Sequence, residues 1–172
     1  EAPELHANRA LADIADSIEI KYRVLDNHYG SGCAEDAPDR PCFKARLQIS
    51  ASEDLLVEDW SIYFSHTVPI RKSLSEHFDI EHINGDLHRL FARSESLPLA
   101  SGEQVDIEFL ADFWHLSEYD PMPNYYLANS AGESELITST RPAFDPDTGL
   151  EVLPFVDSWR SDPTLFKRAA DD

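Results

Sequence analysis

From Ser17 onward, apolar and polar residues alternate with a period of two. In Ile18-Glu19-Ile20-Lys21-Tyr22-Arg23-Val24 the apolar side chains point one way and the charged ones the other. That pattern predicts a half-buried strand, ending at Asp26-Asn27. Phe43-Lys44-Ala45-Arg46-Leu47-Gln48-Ile49 repeats it. Asp59-Trp60-Ser61-Ile62-Tyr63-Phe64-Ser65 sets Trp60, Ile62 and Phe64 on the core side and turns Tyr63 outward. Phe78, Ile80 and His82 alternate up to Asn84-Gly85, and the chain returns through Leu87, Arg89 and Phe91. Asn-Gly supplies the positive φ angles of a tight type I′ turn, so a hairpin is expected here. Another strand runs through Val105, Ile107 and Phe109 towards Trp114. After Pro121 and Pro123, the segments Asn124-Tyr125-Tyr126-Leu127-Ala128 and Glu135-Leu136-Ile137-Thr138 read as two more.

About seven or eight short strands separated by Gly, Pro and Asn signals describe an all-β fold, a two-sheet antiparallel β-sandwich. No helical pattern intervenes between them, which argues against a parallel α/β sheet. Residues 5–16 carry a weak helical period, with Leu5, Leu11, Ile14 and Ala15 on one side, and predict a short N-terminal helix. The tail beyond Thr140 contains Pro142, Pro146, Pro154 and Pro163 and few strand signals. The chain is therefore read as a lead-in over residues 1–16, a sandwich over 17–140, and an extended strap or linker over 141–172 towards a following domain. A domain of 172 residues buries roughly 70% of its unfolded surface.

Charge narrows the partners. Thirty-three acidic residues against 14 basic ones give a formal charge of −19. Such a field repels phosphate backbones and anionic lipid, so neither nucleic acid nor a membrane surface is an expected partner. A neutral ligand such as a sugar is compatible with it. No apolar stretch reaches the ~20 residues of a membrane span, and Glu1-Ala2-Pro3-Glu4 lacks the pattern of a signal peptide. Either the protein is cytosolic or its leader lies outside this sequence. The two cysteines, Cys33 and Cys42, lie in a Gly- and Pro-rich loop and match no Cys-x-x-Cys or zinc spacing. They are either two inert thiols or a disulfide, which would imply an oxidising compartment.

Little in the chain reads as catalytic chemistry. Seven histidines are present, but there is no Gly-x-Ser-x-Gly elbow and no Gly-rich phosphate loop. His77, His82 and His88 surround the hairpin and read as surface or pairing residues rather than metal ligands. His66 and His115 read as polar strand ends. Asp145-Pro146-Asp147-Thr148-Gly149-Leu150-Glu151 superficially resembles a calcium loop, but Val156 stands where the bidentate acid belongs. It reads as an acidic turn, and no cofactor is implied. The aromatics remain. An exposed aromatic face can pack on a pyranose while polar neighbours take its hydroxyls. Tyr63, Trp114, Tyr125, Tyr126 and Trp159 are the candidates for such a platform; each also has a packing alternative, and of adjacent Tyr125 and Tyr126 one must face out.

Leu25-Asp26-Asn27, the Cys33/Cys42 loop, Asp59-Trp60-Ser61-Ile62-Tyr63-Phe64 and Ile83-Asn84-Gly85-Asp86-Leu87-His88-Arg89-Leu90 occur in that order. Glu108-Phe109-Leu110-Ala111-Asp112-Phe113-Trp114 and Pro123-Asn124-Tyr125-Tyr126 follow. Over residues 17 to 160 this ordered set resembles the N-terminal domain of bacterial chitobiases, the β-N-acetylhexosaminidases of glycoside hydrolase family twenty. The resemblance implies a sandwich similar to cellulose-binding domains and a non-catalytic module that binds chitooligosaccharides or other N-acetylglucosamine-containing sugars. The alternative is a purely structural domain docked on the catalytic part of the same polypeptide. In that family a catalytic barrel bears an Asp-Glu pair. No Asp-Glu dipeptide occurs here, so no catalytic residue carries over. What does carry over is a structural disulfide between Cys33 and Cys42. Export to the periplasm, outer membrane or exterior is the location implied.

Overall fold

The computed structural model describes residues 10–30, 33 and 39–158. Helix α1 (Leu11–Ser17) leads into β1 (Ile18–Gly30), followed by β2 (Cys42–Ala51), β3 (Leu55–Val57), β4 (Trp60–Ser65) and β5 (Ile70–Ser73). Next come β6 (Phe78–Asn84), β7 (Leu87–Ala92), β8 (Leu97–Leu99) and β9 (Gln104–Asp112). The last strands are β10 (Tyr126–Asn129), β11 (Ser134–Leu136), β12 (Ala143–Phe144) and β13 (Glu151–Val152). Two antiparallel sheets face each other: a four-stranded one in the order β1-β2-β9-β5 and a five-stranded one in the order β11-β10-β4-β7-β6. Two small ribbons, β3 with β8 and β12 with β13, complete the set. This is the two-sheet antiparallel sandwich that the alternation predicts.

The alternation is what closes the core. Ile18, Ile20, Tyr22 and Val24 of β1 meet Ala51, Ile49, Leu47 and Ala45 of β2 in register, and Ile107 and Phe109 of β9 lie beyond Leu47 and Ala45. From the other sheet come Ile62, Phe64, Ile80, Leu90 and Leu127, and all of these belong to one buried cluster. Their opposite neighbours, such as Glu19, Lys21, Arg23 and Gln48, stay outside.

Several boundaries differ from the pattern-based expectation. β1 runs past Asp26-Asn27 because a bulge after Val24 re-aims the chain. Asn27 is buried and works as a clamp. Its Nδ2 donates to the carbonyl of His115 at 3.0 Å, and its Oδ1 accepts from the His115 N–H at 2.7 Å. The hairpin exists, with His82 opposite His88, but its turn is Gly85-Asp86. A bulge between His82 and Asn84 carries the turn one residue onward, and of the two expected positions only Gly85 takes a positive φ, +50°. β3, β5 and β8 were not legible because each offers only one or two inward positions. Asn124 adopts φ +66°, so β10 starts two residues later than expected.

The segment 153–157 lies against the sandwich. Tyr22 donates its N–H to the Phe155 carbonyl and accepts from the Asp157 N–H, both at 2.8 Å. These bonds cover the free edge of β1, and Leu153 and Phe155 enter the core. The Asp145 turn is held internally: its carboxylate accepts from the Asp147 N–H at 2.8 Å. Cys33 and Cys42 form a disulfide, with Cα atoms 6.0 Å apart, and bury their sulfurs against Leu110. A ring of about ten residues restricts the unfolded chain by roughly 2.5–3 kcal/mol. The Cys33→Ser/Cys42→Ser double variant is expected to lose that amount in urea unfolding; an unchanged midpoint would show that the bridge contributes nothing.

Candidate functional site

The outer face of the five-stranded sheet carries the aromatics that the core does not use. With Ile62, Phe64 and Leu127 turned inward, the strand period turns Tyr63 and Tyr126 outward. The register sets one row straight across the sheet: Leu136, Tyr126, Tyr63, Arg89 and Glu81. Directly opposed residues bring their Cβ atoms within roughly 4.5–5.5 Å, so the two tyrosines are immediate neighbours. Tyr126 is 43% exposed and Tyr63 is partly covered.

Beside this row lies a shallow cleft of about 320 Å³, lined among others by Trp60, Tyr63, Arg89, Phe91, Asp59 and Glu95. That volume sits at the small end of ligand clefts, which span roughly 300–1,000 Å³. Arg89 is fixed on three sides. Its Nε donates to Ser61 Oγ at 3.1 Å, its Nη1 to Glu81 Oε2 at 3.2 Å, and its guanidinium lies 4.3 Å from the centre of the Phe91 ring. Such a clamp holds Phe91 and the cleft wall in place. Trp60 closes one end, packed against the margin of the core, where its indole N–H is buried without an acceptor among the described residues. Asp59, with φ +56°, turns the chain into β4 at the cleft rim.

The other candidates separate from this site. Tyr125 is fully buried, stacked on Phe64 at 4.8 Å, and burial pushes its phenol upward in pKa. It is a core residue and cannot present a face to a sugar; Asn124 in the left-handed region turns Tyr125 in and leaves Tyr126 as the outward member of the pair. Trp114 is 42% exposed but belongs to the segment after β9, at another part of the sandwich. Phe113, Leu116 and Tyr119 of that segment are also exposed. Trp159 lies outside the described residues. The sequence pattern does not mark Trp60, Arg89, Phe91, Asp59 and Glu95 as binding residues. The row becomes visible only once strand register is known, although the outward phase of Tyr63 already placed one member.

His77 is exposed and His82 pairs across the hairpin as expected, but three other histidines leave the surface. His66, His88 and His115 are all buried. His66 Nδ1–H donates to the Val68 carbonyl at 2.7 Å, leaving Nε2 to accept the Tyr22 hydroxyl at 2.9 Å. His88 Nδ1–H donates to Asp86 O at 2.7 Å and its Nε2 accepts the Ile70 N–H at 3.0 Å. This tautomer assignment follows from the carbonyl acceptors. Burial drives His66 and His115 down to about 3 and His88 to about 4. Neutral, enclosed rings of this kind tie the two sheets together and reach no substrate. No His/Cys/Asp/Glu group able to hold a metal occurs among the described residues.

An antiparallel sandwich with an aromatic-lined, polar-rimmed cleft on one sheet is a β-sandwich binding module in form. The chain belongs to the family described as "Putative carbohydrate binding domain", whose model matches residues 17–172. It is 34% identical over 143 residues to a β-hexosaminidase of Vibrio vulnificus, covering 81% of this chain and 17% of that protein. It is 31% identical over 145 residues to the N,N'-diacetylchitobiase of Vibrio harveyi, covering 80% and 16% respectively. Among solved structures, an exo-β-N-acetylglucosaminidase from Vibrio harveyi in complex with N-acetylglucosamine aligns with TM-score 0.50 at 13% identity, over 70% of this chain and 17% of that one. The chain thus spans about one sixth of these enzymes, and their catalytic domain is not present in it.

Proposed function

We propose that this domain holds chitooligosaccharide, or another N-acetylglucosamine-containing sugar, on the outer face of its five-stranded sheet within an exported β-N-acetylhexosaminidase. The observation that carries the reading is the pairing of Tyr63 with Tyr126 beside the cleft of Trp60 and Phe91. Exposed tyrosine rings can pack on the apolar face of a pyranose, while Ser61, Asn129 and the rim acids offer hydrogen bonds to hydroxyls. The matched segments make up 17% and 16% of these relatives, which supports catalytic domains of the same polypeptide as its partners. The disulfide supports a periplasmic, outer-membrane or secreted setting.

Titrating the domain with N-acetylglucosamine oligomers, read by tryptophan fluorescence or amide shifts, tests this. Tyr63→Ala and Tyr126→Ala are each expected to weaken binding by roughly 2- to 10-fold, the worth of one aromatic contact. No saturable change at millimolar sugar would refute the proposal. A second reading, structural docking on the rest of the enzyme, is favoured by the exposed Phe113, Trp114, Leu116 and Tyr119 in one segment. It expects this segment to gain hydrogen-exchange protection in the longer enzyme, and unchanged exchange there would count against it.

A further inference from the structure

We infer that the cleft takes an extended β-1,4-linked chain of three or more sugar units, laid across the strands. This rests on the sugar-binding reading and sharpens it to a chain length and a direction. Three neighbouring strands, β10, β4 and β7, line the cleft, and each contributes the same three parts. The first part is a long side chain of the cross-sheet row: Tyr126, Tyr63 and Arg89 in turn. The second lies two residues away on each strand, in the same outward phase: Ala128, Ser61 and Phe91. Ala128 stands directly opposite Ser61. The third is the segment at that end of each strand: Ser130 after β10, Asp59 before β4 and Glu95 beyond β7.

Tyr126, Tyr63 and Arg89 form a ridge across the sheet, and a depression beside such a ridge runs in the same direction. Ala128 and Ser61 are too short to interrupt it, whereas a chain laid along β4 has to pass over Tyr63. At β7 the guanidinium of Arg89 covers Phe91, so the chain meets a fixed planar cation there rather than an open ring. Neighbouring strands lie ~4.8 Å apart, close to the advance of one pyranose along a β-1,4 chain. Each strand therefore meets one sugar unit, and three strands meet three. Every unit has a planar group of the ridge on one side and a polar rim residue on the other, the mix that fixes a ligand's orientation. The rim supplies acceptors at Asp59 and Glu95 and a hydroxyl donor at Ser130, which suits hydroxyl and acetamido groups alike. Beyond Ala128 the line continues over Ser134 of β11, another short and exposed residue. Longer chains run out past that edge of the sheet. A single sugar meets only one of the three sets.

Dissociation constants for the mono-, di-, tri- and tetrasaccharides of β-1,4-linked N-acetylglucosamine, measured on the whole chain, test this. Affinity is expected to rise at least about tenfold from mono- to trisaccharide, and less than about twofold beyond it. Affinity that does not rise with length overturns the inference and leaves the sugar-binding reading intact. Direction is read by two substitutions on outward positions. Ala128→Trp fills the floor and is expected to weaken the trisaccharide at least about tenfold. Ser65→Trp, on β4 at the far side of Tyr63, leaves it unchanged. The reverse pattern, or equal loss in both variants, overturns the crossing of the strands. The length series needs no variant, and Ala128→Gln repeats the blockade with a smaller side chain should the tryptophan impair folding. If no sugar of any length binds, the reading on which the inference rests falls with it.

Discussion

Taking the protein from pH 7 to pH 5 is expected to cost roughly 6 kcal/mol of stability through three histidines alone. His66 and His115 are held down to about 3 and His88 to about 4, in each case first by burial. In the unfolded chain the same rings titrate near 6.5. Between those limits the unfolded state binds more protons, so stability falls as pH falls. The loss begins at about 6.5 and runs down to the folded values. At pH 5 each ring is about 1.5 pH units below its unfolded pKa, which is about 2 kcal/mol. Geometry gives the same sign, because His88 Nε2 accepts the Ile70 N–H and a protonated ring would set two donors against each other. His66 stands 5.9 Å from His88 and 6.2 Å from His115, so charging one ring hinders the next. Against this, acidification relieves the repulsion among the excess acids. Urea unfolding at several pH values measures the sum, and His115→Phe isolates one contribution. The variant should lose about 1.4 kcal/mol per pH unit from the slope below pH 6; an identical slope in both proteins would overturn the assignment.

These histidines also mark where sequence reading stopped. Period-two alternation located β1, β2, β4, β6 and β9 by their inward positions, whereas it located β7 through Leu87, Arg89 and Phe91, which the structure turns outward while His88 and Leu90 face the core. It could not find β3 or β8, three residues apiece. Beside the turn, His88 reads as a surface or pairing residue, although it sits in phase with Leu90 on the inward side of β7. A polar residue type outweighed its phase, and its buried partner, the Ile70 N–H, lies in the other sheet. The cleft had the same difficulty. Tyr63 was placed outward by phase, but Tyr126 opposes it only through the β4–β10 register, and no local pattern encodes pairing across some sixty residues. Tyr125 and Tyr126 differ only in phase. The left-handed Asn124 decides which of them reaches the surface.

Tyr22 joins the buried polar network to the packing, and replacing it separates the two. Its ring lies 5.8 Å from His66, 6.0 Å from Phe109 and 5.6 Å from His115. It is completely buried, and its backbone grips the strap at Phe155 and Asp157. Tyr22→Ala removes a large core ring and is expected to cost about 3–5 kcal/mol, a major part of the 5–15 kcal/mol typical of a domain. Tyr22→Phe keeps the ring and the backbone bonds and deletes only the hydroxyl that donates to His66 Nε2. Leaving that buried acceptor unpaired costs about 1–2 kcal/mol. The milder variant carries a second signature. Without its donor, His66 Nε2 is easier to protonate, so the acid-side loss should level off at a higher pH in Tyr22→Phe, seen as a shallower slope near about pH 4. Urea denaturation of both variants at neutral pH and near about pH 4 reads the two effects separately. If Phe costs as much as Ala, the hydrogen bond rather than the ring dominates. If Phe leaves both midpoint and slope untouched, the Tyr22–His66 bond plays no part in coupling the sheets.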